Sequence, residues 1–367
     1  MRIMIIGYFG KYKEMEWFAR GLEALGNEII RISGDLPNTE YSENPPDLII
    51  PREHFPRDFF NPIKLTDLYH LGDIDVIFYQ PLLDLTLDWV NVNVPIVYYL
   101  HEMVYRRWLY SSGAPVNPIA LCYACHDIIP MYEASFGFEM KDIPSNHCLF
   151  LPYAWEPSLY LLKAYRNYWS KEELDKVKQE LQEGKSIHLT PHQDAQLPLH
   201  QKYSFGFMGT VGQDNSSNWI CETDPIAEHI RDWRGRFVKY ASQNCGCHVK
   251  QKGSDHDYIE YLSQCNLFLN VSSNYGYVNQ RMFHVPGAGC VLVQNRYPGI
   301  DQIGLEDNEN CLLYSSEEEM LCKIRWARVH PSELEEIRAK GMQWAMKHTY
   351  TQRAAELFLK LQEWLAC

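Results

Sequence analysis

The sequence predicts an α/β protein built from two doubly wound halves, and three observations lead to this expectation. Short apolar runs with the character of buried strands alternate with amphipathic helices along most of the chain. A glycine turn follows the first strand of each half, at Gly7–Gly10 and at Gly209–Gly212. The length of 367 residues is also large for a single hydrophobic core. We therefore expect two parallel sheets, each covered by helices.

The first half, residues 1–160, begins with a strand over residues 2–7 that runs into the first glycine turn. The following segment places Met15, Phe18, Leu22 and Leu25 on one face at helical spacing, which predicts a helix. Further buried strands are predicted near residues 28–32, 47–50, 75–79, 95–100 and 149–152. Their near-continuous apolar character is typical of parallel strands that are buried on both faces.

The second half is separated from the first by a polar, histidine-containing stretch at residues 161–202. We interpret this stretch as a linker with a helical insertion. Residues 203–345 then form the second α/β domain, and residues 346–367 form a terminal helix that is expected to pack toward the N-terminal half. Strands of the second domain are predicted near residues 267–271, 290–294 and 311–314.

Composition narrows the classes of function. A net charge of −13 argues against a general nucleic-acid-binding surface, which would need clustered Lys and Arg. The start of the chain lacks the pattern of a signal peptide, and no apolar run approaches the roughly 20 residues of a membrane span. Eleven cysteines are scattered through strand-like and helical segments, as is typical of reduced thiols. These features predict a cytoplasmic protein without a transmembrane segment.

Two cysteine motifs could bind a prosthetic group or a metal. Cys122–His126 has the spacing of a covalent haem attachment, and Cys245–His248 offers two thiols and an imidazole. The first motif lies at a strand-to-helix transition, and the second has no further ligand pair at the spacing of a structural zinc site. We therefore interpret both as ordinary buried cysteines and expect no metal.

The most informative segment is 258–289. It predicts an amphipathic helix, a buried strand ending at Asn270, a polar loop, and a short helix that carries Arg281 and His284. A loop that joins a strand to a helix N-terminus is a common anion site, because free backbone N–H groups and the helix dipole point there. Arg281 could add a bidentate contact to a phosphate. The alternative is an ordinary βα unit whose polar residues serve only the loop.

Several segments of the second half together resemble a known family. Phe205–Thr210, Tyr261–Asn270 and Asn279–Leu292 are similar to the C-terminal half of CgeB-type, glycosyltransferase family 1-like enzymes, and the resemblance covers roughly residues 203–360. The two halves and the paired terminal helices resemble the GT-B architecture. That resemblance implies two Rossmann-like domains that face a cleft, with C-terminal helices that cross back to the N-terminal domain. In the first half, Tyr98–Glu102 resembles the strand-end histidine motif of these enzymes.

The resemblance implies transfer of a sugar from a nucleotide-diphosphate donor that is held by the second half, with no catalytic metal and no further cofactor. For the donor and its diphosphate it indicates Gly209, Thr210, Asn270, Asn279, Arg281 and His284. For catalysis it indicates His101 and Glu102, and for the acceptor side Gly10 and Arg106. The acceptor is left open as a glycan, a small molecule or a modified DNA base, and the oligomeric state is left open as well.

Two departures from the family pattern keep other functions open. His284 and Gly276 stand where related enzymes carry glutamates. One alternative is therefore a degenerate, non-catalytic protein of the same fold that binds a nucleotide or a glycan. Another is a phage-type DNA glucosyltransferase, for which the candidate acceptor-side arginines are Arg52, Arg57, Arg106 and Arg107. An NAD-dependent enzyme is disfavoured because Gly7–Gly10 lacks the third glycine of the dinucleotide motif.

Overall fold

The computed structural model describes the chain as two compact units. The first contains Met1–Tyr153 and Tyr350–Cys367, and the second contains Ala154–Thr349. The described residues are 1–10, 13–34, 45–50, 63–80, 87–89, 91–100, 118–124, 143–157, 159, 203–209, 225–251, 253–272, 278–297 and 299–366.

Helices in the described residues are numbered in chain order. They are α1 (Glu14–Ala24), α2 (Leu65–Leu68), α3 (Pro225–Asn244), α4 (Asp255–Leu262), α5 (Arg281–Gly287), α6 (Glu317–Val329), α7 (Pro331–Met346) and α8 (Tyr350–Leu365). None of them combines the length and the apolar character that crossing a membrane requires.

Parallel strands form the main sheet of the first unit. The strands are β1 (Arg2–Gly7), β2 (Glu28–Gly34), β3 (Leu48–Ile50), β4 (Ile63–Lys64), β5 (Val76–Tyr79), β6 (Leu87–Asp88), β7 (Ile96–Leu100), β8 (Ala120–Tyr123) and β9 (Cys148–Phe150). Seven of them pair in the order β3-β2-β1-β5-β7-β8-β9, while β4 and β6 form a separate pair. Successive strands are therefore added on both sides of β1, as in a doubly wound fold.

Helices α1 and α8 pack closely in the first unit because a small residue lies at their contact. A β-carbon at Gly21 would lie only 2.5 Å from the β-carbon of Ala354. Phe18 on α1 packs its ring against those of Phe78, Tyr99 and Tyr350. The terminal helix thus completes the core of the first unit.

The predicted inward position of Leu25 is wrong. Helix α1 ends at Ala24, and Gly26 adopts a left-handed conformation with φ 81°. The turn carries the Leu25 side chain past the helix end, where it is 41% exposed. The apolar spacing alone places Leu25 on the buried face, although the helix ends one residue before it, at Ala24.

The second unit contains a five-stranded parallel sheet. Its strands are β10 (Tyr203–Met208), β11 (His248–Lys250), β12 (Cys265–Asn270), β13 (Val291–Asn295) and β14 (Leu312–Tyr314), in the order β11-β10-β12-β13-β14. One face of the sheet packs on a single core with α3, α6 and α7, to which Phe237, Met320 and Ile337 contribute. After β10 the chain forms β11 on one side of it, and β12 then pairs on the other side. The direction in which strands are added to the sheet therefore reverses between β10 and β12.

The α/β class with two Rossmann-like units is confirmed. The predicted strands at 2–7, 75–79, 95–100 and 267–271 agree with the observed ones to within two residues at each end. The two terminal helices that flank residues 348–351 are also present. The predicted linker at 161–202 lies outside the described residues.

Candidate functional site

The carboxyl ends of β10 and β12 are where an open parallel sheet of this topology binds ligands. Open α/β sheets bind ligands where neighbouring connections diverge, because the two loops leave a crevice at that point. Gly209 follows β10 directly, and Asn270 is the last residue of β12. The donor-site residues predicted from sequence that the structure describes all lie at or near this end of the sheet.

Gly209 and Arg281 are brought into contact by the fold. A β-carbon at position 209 would lie 2.8 Å from Nη2 of Arg281 and 3.1 Å from Cζ of Phe207. Only glycine leaves room for the guanidinium to approach the backbone at the end of β10. The amide of Gly209 donates to the carbonyl of Lys250 at 3.1 Å, which fixes the turn.

The guanidinium of Arg281 is held by aromatic rings. Its Cζ lies 5.5 Å from the ring centroid of Phe207 and 6.0 Å from that of Tyr258. Cation–π contacts at these distances orient an arginine without consuming its N–H donors. Arg281 forms no ion pair with any carboxylate in the described part of the chain. The site therefore presents an oriented cation whose charge is not balanced by a described neighbour.

A buried amide network stabilises the loop between β12 and α5. Nδ2 of Asn270 donates to Oδ1 of Asn279 at 3.0 Å and to Oε1 of Gln294 at 2.7 Å. Nδ2 of Asn279 donates to Oδ1 of Asn270 at 3.3 Å and to Oγ of Ser272 at 3.0 Å. The Ser272 amide donates to Oδ1 of Asn295 at 2.7 Å. The two asparagines predicted to contact the donor thus use their amides inside the protein.

The amides of the first turn of α5 are not free, whereas the loop that precedes it at residues 273–277 lies outside the described residues. The amide of Arg281 donates to Oδ1 of Asn279 at 3.0 Å. The amide of Met282 donates to the Asn279 carbonyl, and the amides of Phe283 and His284 donate to that of Gln280. A short seven-residue helix whose first turn is satisfied in this way has no N–H groups left for an anion. Among the described residues of α5, an anion could therefore be bound by side chains but not by the amides of the first turn.

His284 lies on the same helix, half-buried beside Arg281 and Tyr258. Burial, and to a smaller extent the charge of Arg281, lower the pKa of His284 to about 3, against the opposing effect of a hydrogen bond with the Ala154 backbone. Its ring centroid is 6.2 Å from that of Tyr258. His284 is therefore a neutral imidazole at neutral pH, in contrast to the carboxylate that the resemblance would place there.

Four of the predicted residues, His101, Glu102, Arg106 and Thr210, lie outside the described residues. Gly10 is described and belongs to the first unit, where its carbonyl accepts from the Lys13 amide at 2.9 Å. In the same turn, the amide of Tyr8 donates to Oε1 of Gln80 at 3.2 Å, and the amide of Phe9 donates to Oγ of Ser33 at 3.3 Å. Hydrogen bonds thus connect the turn at residues 7–10 to β2 and to the residue that follows β5.

Sequence reasoning missed four contributors to the candidate site. They are Tyr258, Ser272, Gln294 and Asn295. The spacing of Tyr258, Ile259 and Leu262 predicts the apolar face of a helix, so the sequence gives no sign that Tyr258 lies beside Arg281. The signal that could have identified Gln294 and Asn295 is a pair of amides at the end of an apolar strand, beside a second strand that also ends in an amide.

The cysteine motifs behave as buried thiols where they are described. Cys122, Cys245 and Cys247 are free and buried, and burial raises the pKa of each thiol. Cys125 and His126 lie outside the described residues.

Helix α4 carries three neighbouring side chains of the kinds that bind metal ions, namely His256, Asp257 and Glu260. The Asp257 carboxylate already accepts hydrogen bonds from Ser254 in a capping box. We assign no metal site to this group.

Comparison with protein families gives one match, over residues 220–358, to the family described as Glycosyl transferase-like. The matched region contains β12, α5 and β13, and so includes Arg281 and the whole amide network. A search of curated protein sequences gave no significant match.

Solved structures of glycosyltransferases share the fold over the whole chain. Sucrose-phosphate synthase from Thermosynechococcus elongatus is 11% identical, with a TM-score of 0.56 and coverage of 100% of this chain and 99% of that chain. The trehalose-phosphate synthase of Burkholderia vietnamiensis is 9% identical, with a TM-score of 0.56 over 99% and 100% of the two chains. Anabaena HepE, solved with UDP-glucose, is 12% identical, with a TM-score of 0.54 over 98% and 99%.

These comparisons show the fold of the protein. The chain has the GT-B fold of glycosyltransferases, and its second unit carries the region that matches the glycosyl transferase-like family.

Proposed function

We propose that this protein transfers a sugar from a nucleoside-diphosphate donor to an acceptor, and that it does so without a catalytic metal. The observation that carries the proposal is the Arg281 guanidinium. It is oriented by Phe207 and Tyr258, lies against the backbone at Gly209, and has no described carboxylate partner. A cation in this state at the ligand-binding end of a parallel sheet fits a phosphate group.

The chemistry needs a positive group at that position. When the glycosidic bond to the donor breaks, negative charge grows on the departing diphosphate. A cation whose position is fixed beside this charge before the reaction stabilises the transition state, because its side chain does not have to rearrange during the reaction. The guanidinium takes the role that a divalent cation has in metal-dependent enzymes, and we expect activity to persist in the presence of a chelator.

The remaining predicted residues take roles that follow from their positions. Asn270 and Asn279 position the loop and α5, while Gly209 gives the guanidinium access to the backbone. We keep Thr210 and the neutral His284 as donor contacts. His101 and Glu102 stay the predicted catalytic pair, and Gly10 and Arg106 stay predictions for the acceptor side. The predicted cytoplasmic location is consistent with the free cysteines among the described residues.

Donor binding is the first test. Thermal-shift measurements with UDP-, GDP-, ADP- and dTDP-sugars should raise the melting temperature with at least one donor. UDP-glucose is the first candidate because HepE was solved with it. Slow release of the nucleotide without an acceptor would distinguish an enzyme from a binding protein. If no donor stabilises the protein at millimolar concentration, the proposal fails.

The Arg281→Ala variant tests the placement of the diphosphate. Loss of a charge-assisted hydrogen bond should weaken nucleoside-diphosphate binding by about 2 kcal/mol, which calorimetric titration can measure. Arg281→Lys keeps the positive charge but loses the planar guanidinium that can donate two parallel hydrogen bonds. It should therefore bind more tightly than Arg281→Ala and more weakly than the unmodified protein.

Gly209→Ala provides a second route to the same loss, because the added methyl group would displace the guanidinium while leaving it in the protein. Unchanged affinity in both Arg281→Ala and Gly209→Ala would mean that the phosphates bind elsewhere.

A further inference from the structure

Tyr258 carries a buried hydroxyl whose proton has no acceptor among the described residues. The hydroxyl oxygen is shielded from solvent, its described polar neighbour is the donor-only guanidinium of Arg281, and no described residue accepts a hydrogen bond from it. Leaving a buried hydroxyl unsatisfied costs about 1–3 kcal/mol. Such groups in a folded protein call for an explanation, and an absent ligand is one.

The surroundings of this hydroxyl indicate the kind of ligand. The Tyr258 ring packs edge-on against Phe268 at 6.0 Å, which fixes its position. Burial raises the pKa of Tyr258, and the positive charge of Arg281 opposes part of this rise. The phenol therefore keeps its proton at neutral pH and is a hydrogen-bond donor. Arg281 can donate to the phenol oxygen, with which it interacts, but it cannot accept the phenol proton. Both groups therefore keep a donor that can reach one anionic oxygen.

We propose that Tyr258 is a further donor-binding residue, whose hydroxyl donates to the same phosphoryl group that Arg281 binds. This inference rests on the proposed function and deepens it, because it adds a second contact to the diphosphate. Neither backbone amides nor a helix N-terminus are needed for the interaction, since two side chains on different helices, α4 and α5, converge on one oxygen.

Tyr261 on the same helix is a matched control. Its hydroxyl donates to the His248 carbonyl at 2.6 Å and contacts Nδ1 of His248 at 2.7 Å. Removing this hydroxyl breaks a hydrogen bond that it donates in the free protein, whereas the hydroxyl of Tyr258 donates none to a described residue. Tyr258→Phe should therefore weaken ligand binding without lowering stability, whereas Tyr261→Phe should lower stability without weakening ligand binding.

The test compares Tyr258→Phe, Tyr261→Phe, Arg281→Ala and the Tyr258→Phe/Arg281→Ala double variant. Calorimetric titration with UDP, GDP, ADP and dTDP gives the affinity, and thermal unfolding without ligand gives the stability. We expect Tyr258→Phe to bind its nucleotide about fivefold to tenfold more weakly, with an equal or higher melting temperature. Tyr261→Phe should bind normally and melt at a lower temperature. In the double variant, the loss should be smaller than the product of the two single losses, because both residues bind one group.

The outcomes separate this inference from the proposed function. If Arg281→Ala loses affinity while Tyr258→Phe does not, the role of Tyr258 is overturned and the donor site stands. If the two losses multiply fully, the shared phosphoryl group is overturned. If the unmodified protein binds none of the four nucleotides, both proposals fail.

Discussion

At the scale of single residues, the candidate site is defined by a few side chains whose states depend on their neighbours. Arg281 is oriented by two aromatic rings, and Tyr258 has a hydroxyl that the described protein does not satisfy. His284 is neutral because burial outweighs its intrinsic basicity. These states could not be derived from residue types, because desolvation and cation–π geometry depend on which groups the fold brings together.

His284 should make the stability of the protein sensitive to acid. Its folded pKa of about 3 lies below the usual value, so between pH 6.5 and 3 the unfolded chain binds a proton that the folded protein does not. Stability is therefore lost as the pH falls below about 6.5, by up to about 2 kcal/mol at pH 5. Urea unfolding of the protein and of His284→Gln at pH 7 and pH 5 should show a smaller loss in the variant. An equal loss in both would show that His284 does not carry this pH dependence.

His101 is predicted from sequence to act in the chemical step. His101→Ala should lower turnover more than donor affinity, because a group that assists bond breaking contributes mainly to the transition state. The measurement is a comparison of the turnover rate with the nucleotide dissociation constant in the same variant. A normal rate would remove His101 from the catalytic pair.

At the scale of elements, glycines determine how closely helices and strands approach. Gly21 allows α1 to contact α8, and Gly209 allows α5 to present Arg281 next to β10. The amide network ties the ends of β12 and β13 to the start of α5, which fixes the position of that short helix. A seven-residue helix gains little stability from its own hydrogen bonds, so its position depends on such tertiary contacts.

Two glycines in helix interiors give a matched prediction for stability. Gly21→Ala would place a methyl group 2.5 Å from the β-carbon of Ala354 and should destabilise the protein by about 1–3 kcal/mol. A β-carbon at Gly235 on α3 meets no atom within 4 Å, so Gly235→Ala should stabilise it by about 0.5–1 kcal/mol through helix propensity. Chemical denaturation measures both. Equal effects at the two positions would contradict the tight α1–α8 contact.

At the scale of the whole molecule, each unit is a doubly wound sheet with its own core. In the first sheet, strands pair on both sides of β1. In the second sheet, β11 pairs on one side of β10 and β12 on the other, so the direction in which strands are added reverses between β10 and β12. This reversal explains why residues as distant in sequence as Gly209 and Arg281 meet. Sequence order placed both in the second half without showing that they touch.

The sequence by itself determined the two α/β halves, most strand positions and the segment that carries Arg281. Strand and helix periodicity and glycine turns are local properties, so they can be read along the chain. Only the tertiary structure decided how the polar residues are used. It directed Asn270 and Asn279 inward, satisfied the first amides of α5, and left the guanidinium of Arg281 without a described carboxylate and the hydroxyl of Tyr258 without a described acceptor. The physical reason is that hydrogen-bond partners and burial are set by packing between segments far apart in sequence, and no local pattern encodes them.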